Sequence, residues 1–298
     1  MSRDSYNISI VVIGYNTLST LANTINSINR LKVSNHNVEV IYIDDGSTDG
    51  SYEYFESSKL IFKKRYFGFK DNRGRVAARS KAIEMASGDW LLFLNSNITV
   101  NPNMIIEYTK SISSCAGMAF SGCINYNSED SVFAKYLNHV KRGIKKYKNN
   151  EIINYQNFLF SNCMVKKSTM HAIPFNASLR YYGGEELDWA YRFNNKFPNM
   201  MHACRLAIGV RNNHPNFRNH LKKMVEFGAT NFSLLDPQLQ IDVIKYKFLL
   251  NNNIIFRIIF ALLYILSKIL YKLPGIGIYI VKIGLLSSVL RGFYQKNN

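Results

Sequence analysis

Residues 40–51 read VIYIDDGSTDGS. The apolar run Val38–Ile43 stops abruptly at Asp44-Asp45-Gly46-Ser47. A short unbroken apolar run bounded by turn residues predicts a strand covered on both faces, as in a parallel sheet. Two more stretches follow the same plan. Ile8–Ile13 closes at Gly14-Tyr15-Asn16, and Trp90–Leu94 closes at Asn95-Ser96-Asn97. Leu60–Phe67 supplies a further strand. Between them lie Leu21, Ile25, Ile28 and Leu31 at helical spacing, a short helix near 49–57 that Ser47 or Thr48 can cap, and the Ala-rich, basic stretch Gly74–Ala86. Pro102 is suited to the first position of another helix.

Strands alternating with helices predict an α/β chain with a Rossmann-like, mostly parallel sheet flanked by helices. Ligands of such sheets bind beyond the carboxyl ends of the strands. The three polar clusters therefore fall on one edge, which is the shape of a nucleotide site. Beyond residue 115 the pattern loosens. Strands are predicted at 116–126, 158–165 and Ala203–Val210, and helices at Glu185–Asn195, 216–235 and 239–250.

The chain has 298 residues, 47% of them hydrophobic, enough for one large domain or two small ones and against global disorder. Its four cysteines show no CxxC spacing, which argues against a disulfide scaffold or a zinc ribbon and suits buried thiols in a reducing compartment. The opening MSRDSYN does not have the pattern of a secretory signal. A formal charge of +17 admits nucleic acid, anionic membrane or anionic substrate as partners. That charge is localised. Residues 131–150 carry six basic and no acidic residues, and residues 201–298 carry thirteen basic and three acidic. The motif-bearing first 130 residues are balanced. No nucleic-acid partner is expected: aromatic residues are scarce within 131–150, which offers no stacking platform of the kind single-strand binders use, and the remaining charge lies with apolar helices and not on the motif-bearing sheet.

Four segments in order and register, SIVVIGYN (9–16), VIYIDDGSTDGS (40–51), DNRGRVAARSKAIEMASGDWLLFLNSN (71–97) and YYGGEELDWAYR (181–192), resemble a family-2 glycosyltransferase of the GT-A fold. The resemblance covers residues 8–215. It implies transfer of a sugar from a nucleotide-sugar donor to an acceptor hydroxyl, usually with inversion and a divalent cation. It also implies a nucleotide-sugar-binding half over 1–100 and an acceptor-binding and catalytic half over 101–238, and the composition of the tail adds a helical, membrane-associated segment over 239–298. By resemblance Asp45 contacts the base, Asp44 supports it, and Tyr15 lines the base pocket beside Asn16. Arg79, in the helix after Asn72-Arg73-Gly74, faces the diphosphate, although Arg73, Arg75 and Lys81 lie close by.

The chain departs from the family at Asn95-Ser96-Asn97, where Asp-x-Asp usually helps hold Mg²⁺ or Mn²⁺. An Asn carbonyl can ligate a hard cation but brings no negative charge. The resemblance assigns donor contacts to Asn95 and Ser96, and metal contacts to Asn97 and His214. Weakened metal binding, metal-independent transfer through basic residues, and a catalytically impaired protein all fit. The last would make the chain a nucleotide-sugar-binding or assembly subunit. Glu185-Glu186 stands where the family has Glu-Asp. Glu186 aligns with the general base, Asp188 is the alternative, and Gly184 with Glu185 would face the acceptor.

Residues 254–293 are apolar, but the longest uncharged run in their first half, Ile258–Ser267, is 10 residues. A spanning helix needs about 20. Arg257, Tyr264, Lys268 and Lys272 (or Tyr271) fall on one helical stripe and the rest of the circumference is apolar, which predicts an amphipathic helix lying in a membrane interface. Pro274-Gly275 should break it from a second short helix. The expectation is a cytoplasmic enzyme, peripheral on the inner face of the cell membrane, that serves bacterial surface-polysaccharide or glycolipid assembly. Its acceptor would be a glycan or lipid-linked glycan, its docking surface an anionic membrane, and the C-terminal helices could also join copies into an oligomer.

Overall fold

The computed structural model describes residues 5–251 and 253–296. The first four residues of the MSRDSYN opening, and residues 252 and 297–298 of the expected helical segment, fall outside the described residues.

The first half alternates as expected: β1 (Asn7–Gly14), α1 (Leu18–Ile28), β2 (Asn37–Asp44), α2 (Ser51–Ser57), β3 (Lys63–Gly68), α3 (Gly74–Met85) and β4 (Trp90–Asn95). A three-residue strand, β5 (Ile98–Val100), follows at once, then α4 (Met104–Ser114). The second half holds β6 (Ala119–Tyr126), α5 (Ser131–Leu137), β7 (Asn162–Lys166), α6 (Lys167–Ala172), α7 (Glu185–Lys196), β8 (Met201–Arg211), α8 (Phe217–Ala229) and α9 (Pro237–Ile244). Two long helices close the chain, α10 (Ile254–Leu270) and α11 (Gly277–Lys296).

The strands form one sheet in the order β3-β2-β1-β4-β7-β6-β8-β5. The first four are mutually parallel. β7 runs antiparallel to β4 and β6, β8 is parallel to β6, and β5 is antiparallel to β8. The sheet is thus parallel in its N-terminal half and mixed beyond. Where β6 meets β8 the register jumps after Gly122, and buried Asn162 bonds the freed carbonyls of Cys123 and Ala207 at 3.0 and 2.9 Å. Side chains alternate along each strand. Val11, Ile13, Ile41 and Ile43 therefore enter one core layer with Trp189 and Ala203, while Ile10, Val12, Val40 and Tyr42 enter the other with Tyr108 and Cys204. Both layers draw on residues either side of residue 100.

Several boundaries moved for local reasons. β3 starts at Lys63 because Asn29 engages the backbone before it, accepting from Ile61 N and donating to Lys59 O. Neither Ser47 nor Thr48 caps α2. Gly50 occupies the N-cap position and Asp49 accepts from Ser51 N at 3.1 Å, while Ser47 Oγ accepts from Asn16 N. Pro102 precedes α4 rather than opening it. The helix predicted for 216–235 ends at Ala229, and Asn231 turns its amide onto the carbonyls of Tyr181 and Gly183, 2.8 Å each. α5 lies inside the basic 131–150 stretch, capped by Asp130.

Of the C-terminal helices, α11 packs on α8 and α10 packs on α11. A Cβ on Gly228 would lie 2.0 Å from Val289 O, and one on Gly292 would lie 2.0 Å from Val225 O, so α8 and α11 touch backbone to backbone. α10 turns Phe260, Tyr264 and Ser267 to the protein. The tyrosines of the stripe form its inner edge while Lys272 is exposed: Tyr271 donates to buried Asp130 at 2.9 Å, and Lys268 and Arg291 lie over the Tyr264 ring. Ile254, Ile258, Leu262, Ile265 and Ile269 stay exposed on the outer face. Pro274-Gly275 falls in the turn between α10 and α11, as expected. Among the described residues α11 alone is long and apolar enough to cross a membrane, but 56% of that stretch is buried within the protein.

Candidate active site

β1, β2 and β4 end side by side, with Gly14 opposite Asp44 and Ile13 opposite Asn95. The segments leaving those ends wall a cleft of about 450 Å³. Six of the expected residues line it: Tyr15, Asp45, Asn72, Asn95, Ser96 and Asn97. The facing wall comes from Arg180, Tyr181 and Tyr182 ahead of α7, from Arg211 at the end of β8, and from Lys223 and Glu226 on α8, with Arg75 entering from α3.

Asp45 accepts from Arg73 N at 2.8 Å and Gly74 N at 3.0 Å. It thereby satisfies backbone donors at the start of α3, where a carboxylate is also favoured by the helix dipole. Burial raises its pKa, with neighbouring Asp44 adding to the rise and the two amide bonds opposing it. Asp44 sits beneath the cleft, accepting from Tyr42 Oη at 3.1 Å and Ser47 N at 2.7 Å. Asn16 does not line the cleft. Its Oδ1 accepts from Thr48 N at 2.9 Å, which ties the β1 loop to the β2 loop.

Arg79 is placed differently from expectation. It is 1% exposed, outside the cleft lining, and bound to Glu185 at 3.3 Å and Glu186 at 2.6 Å. Its guanidinium also lies 5.2 Å from the Phe160 ring centre. The arginine of α3 that lines the cleft is Arg75, one helical turn earlier. Arg75 reaches Glu185 at 3.4 Å and lies 4.9 Å from the ring centre of Tyr182, while Lys223 Nζ lies 5.3 Å from the same ring. Burial would raise Glu185, but Arg75 and Arg79 outweigh it and hold the carboxylate below its ordinary range. Neither Glu185 nor Glu186 is among the residues lining the cleft, and Glu186 keeps more solvent access than Glu185, 18% against 3% for the side chains.

Asp188 is occupied elsewhere. It takes two bonds from Arg192, 3.0 Å from Nε and 2.6 Å from Nη2, and does not line the cleft. The resemblance places Gly184 against the acceptor. Instead its φ of +89° forms the left-handed N-cap of α7, and a Cβ there would meet the Phe227 ring at 2.9 Å. Glycine is required by the backbone and by Phe227 packing.

His214 also lies outside the lining. Its ring packs edge-on against Tyr126 and Phe133, and its Nδ1 is 2.9 Å from Pro215 O. Burial, with nearby Arg211, pulls its pKa down to about 4. Asn97 Oδ1 is buried without a hydrogen-bond partner, which is the one observation that favours a cation there. The rest of the donor set does not fit Mg²⁺ or Mn²⁺. Mg²⁺ is usually held through one or two protein carboxylates beside substrate phosphates. Asn95 and Asn97 are neutral, Asp45 is engaged by two amides, and Arg75, Arg211 and Lys223 bring positive charge to the same cleft. Among the described residues no group of three or more His, Cys, Asp or Glu is placed to hold a metal.

Arg180, Arg211, Lys223 and Glu226 were not singled out in the sequence. Arg211 precedes His214 by three residues at a strand end, which was the available signal. Lys223 and Glu226 carried none, because their position depends on how α8 docks.

Solved structures with this architecture are GT-A glycosyltransferases. The structure of S. aureus TarS 1–349 in complex with UDP-GlcNAc matches with a TM-score of 0.60 and 12% identity, over 98% of this chain and 92% of that one. The mannosyltransferase PcManGT from Pyrobaculum calidifontis, in complex with GDP-Man and Mn²⁺, matches with a TM-score of 0.55 and 13% identity, over 78% of this chain and 64% of that one. The family model for Glycosyl transferase family 2 matches residues 9–182, and the chain belongs to that family. It is 27% identical over 186 residues to glycosyltransferase GlyG of Streptococcus pneumoniae serotype 4, covering 58% of this chain and 61% of that protein. It is 30% identical over 102 residues to the uncharacterized glycosyltransferase YfnE of Bacillus subtilis, covering 34% of this chain and 26% of YfnE. The matches thus span less than two thirds of these relatives' own length.

Proposed function

We propose that the chain moves a sugar from a nucleotide-diphosphate sugar to an acceptor hydroxyl with inversion at the anomeric carbon. The observation that carries this is the cleft at the ends of β1, β2 and β4, where Asp45, Tyr15 and the Asn95–Asn97 turn face Arg75, Arg211 and Lys223. The first set suits a base and ribose, and the second a diphosphate. In a single displacement the acceptor oxygen bonds to C1 as the bond from C1 to the diphosphate oxygen breaks. Glu186 would take the hydroxyl proton, and the nucleoside diphosphate leaves with the bonding pair. Glu186 suits this task better than Asp188 because its side chain is the more accessible of the two, 18% exposed against 8%, with one oxygen, Oε1, oriented by Arg79.

The proposal extends to location and acceptor. The outer face of α10 is a band of exposed isoleucine and leucine bordered by Arg218, Lys222 and Lys268, which line a shallow cavity with Ile265 and Ile269. Apolar side chains with a basic border suit an anionic bilayer surface. A lipid-linked glycan is the acceptor class such a surface would deliver.

The test is nucleotide release from a panel of nucleotide sugars in the presence of membrane extract. Turnover with at least one donor is expected, and Glu186→Gln should abolish it while nucleotide binding persists. Binding without turnover for every donor would leave the chain a nucleotide-sugar-binding subunit.

A further inference from the structure

The family's usual cation position holds amides here, and the cleft around it is rich in cations. We propose that Arg211, together with Arg75 and Lys223, takes the place of a divalent cation against the donor diphosphate, so that nucleoside diphosphates bind without metal. This rests on the reading of the cleft as the donor site.

Arg211 is fixed beside the Asn95–Asn97 turn by the backbone. Asn212 N donates to Asn97 O at 3.0 Å, and Ile98 pairs with Arg211 across β5 and β8. Its Nε is buried without a hydrogen-bond partner, a donor that the surrounding protein leaves unused. Arg75 and Lys223 flank the Tyr182 ring, which gathers two cations at one wall of the cleft. Few anions balance them. Glu185 is shared between Arg75 and Arg79, Asp45 holds two backbone amides, and Glu226 is exposed. Burial lowers the pKa of Lys223, and Arg75 and Arg211 lower it further, so the cluster is short of negative charge.

A diphosphate supplies that charge. As the bond from C1 to the leaving oxygen breaks, negative charge grows on the nucleoside diphosphate. Guanidinium groups fixed in place stabilise it through charge-assisted, bidentate bonds. Neutral Asn97 then has a clear role. A carboxylate there would compete with the diphosphate for Arg211 beside it, whereas an amide does not.

The experiment is calorimetric titration of the full chain with UDP and GDP, in EDTA and in Mn²⁺, with UMP and GMP as controls lacking the second phosphate. The expected result is diphosphate binding in EDTA with an affinity close to that in Mn²⁺. Arg211→Gln should weaken diphosphate binding about 10- to 100-fold, as loss of one charged contact predicts, and leave monophosphate binding unchanged. Arg211→Lys should fall between, and equal thermal midpoints for all three proteins verify folding. Binding that requires Mn²⁺, or an equal loss for mono- and diphosphates, would overturn the proposal and leave the donor-site reading intact. No nucleotide binding in either condition would overturn both.

Discussion

Replacing Arg79 by Met separates two roles for the same residue. A diphosphate contact would lower nucleotide affinity with little change in stability. The structure predicts the reverse, because the guanidinium is 1% exposed and holds Glu185 and Glu186 at the start of α7. Methionine fills most of the volume but leaves Glu186 without its 2.6 Å partner and leaves Glu185 to Arg75 alone. Removing one partner of a buried ion pair costs about 3–5 kcal/mol. The lost contact with the Phe160 ring adds about 1 kcal/mol. Arg75→Met is the internal control. Its side chain is 37% exposed, so its pair with Glu185 is worth about 1 kcal/mol or less after solvent screening.

Urea unfolding with a fixed m value reads both variants. The acid limb gives an independent check. In the native chain Glu185 is held below its ordinary value of 4.5, so its contribution is present above that value and is lost as the pH falls through the lower folded pKa. Without Arg79 the depression shrinks, and the variant should lose less stability than wild type on acidification below 4.5. Nucleotide affinity should change little in Arg79→Met and fall in Arg75→Met. The assignment fails if Arg79→Met is as stable as wild type, or if it weakens nucleotide binding more than Arg75→Met does.

Glu186→Gln should lower transfer by about 10²- to 10⁴-fold with nucleotide affinity retained, whereas Asp188→Asn should act mainly on the thermal midpoint through lost pairing with Arg192; initial rates and melting curves on the same preparations distinguish them. Gly228→Ala puts a methyl 2.0 Å from Val289 O and should destabilise by about 1–3 kcal/mol or more, with the C-terminal helices becoming sensitive to limited proteolysis; an unchanged midpoint would refute the backbone contact. Ile258→Asp with Leu262→Asp, both on the outer face of α10, should abolish sedimentation with anionic phosphatidylglycerol vesicles without lowering the melting temperature, while persistent sedimentation of the double variant would rule that face out.

The part of the fold that was legible is the part written in local pattern. Apolar runs such as Val38–Ile43 are buried on both faces, so their composition alone marks them as central parallel strands, and the polar residues that end them share an edge because the strands are parallel. The second half was less clear. β7 and β8 pair with strands far away in sequence, and β5, with three residues, is too short for a period to register. Within the site the same division holds. Tyr15, Asp45 and Asn95–Asn97 could be anticipated because strand ends fix them. Arg75 and Arg79 occupy one helix four residues apart, and nothing local says which meets the cleft and which meets the carboxylates of α7. His214 lost its expected position because aromatic packing by Tyr126 and Phe133 holds its ring, a contact between segments separated by β7, α6, α7 and β8.

α10 shows why the tail's pattern was read correctly in kind yet hides its orientation. Its polar stripe turns inward, where Tyr264, Ser267 and Tyr271 meet α8, α11 and Asp130, and its apolar circumference turns outward. A soluble helix packs the other way round, because exposing isoleucine and leucine costs roughly 25 cal/mol per Å² of apolar surface. That cost is removed if a bilayer covers the face. α8 then joins the two surfaces. Lys223 and Glu226 line the donor cleft, while Arg218 and Lys222 border the apolar band, and all four lie on one helix of 13 residues. At 1.5 Å per residue that is about 20 Å. A diffusing sugar acceptor would gain nothing from this proximity. An acceptor hydroxyl anchored by a lipid tail would reach the cleft with most of its search already confined to the membrane plane, and this is the physical case for the lipid-linked acceptor we propose.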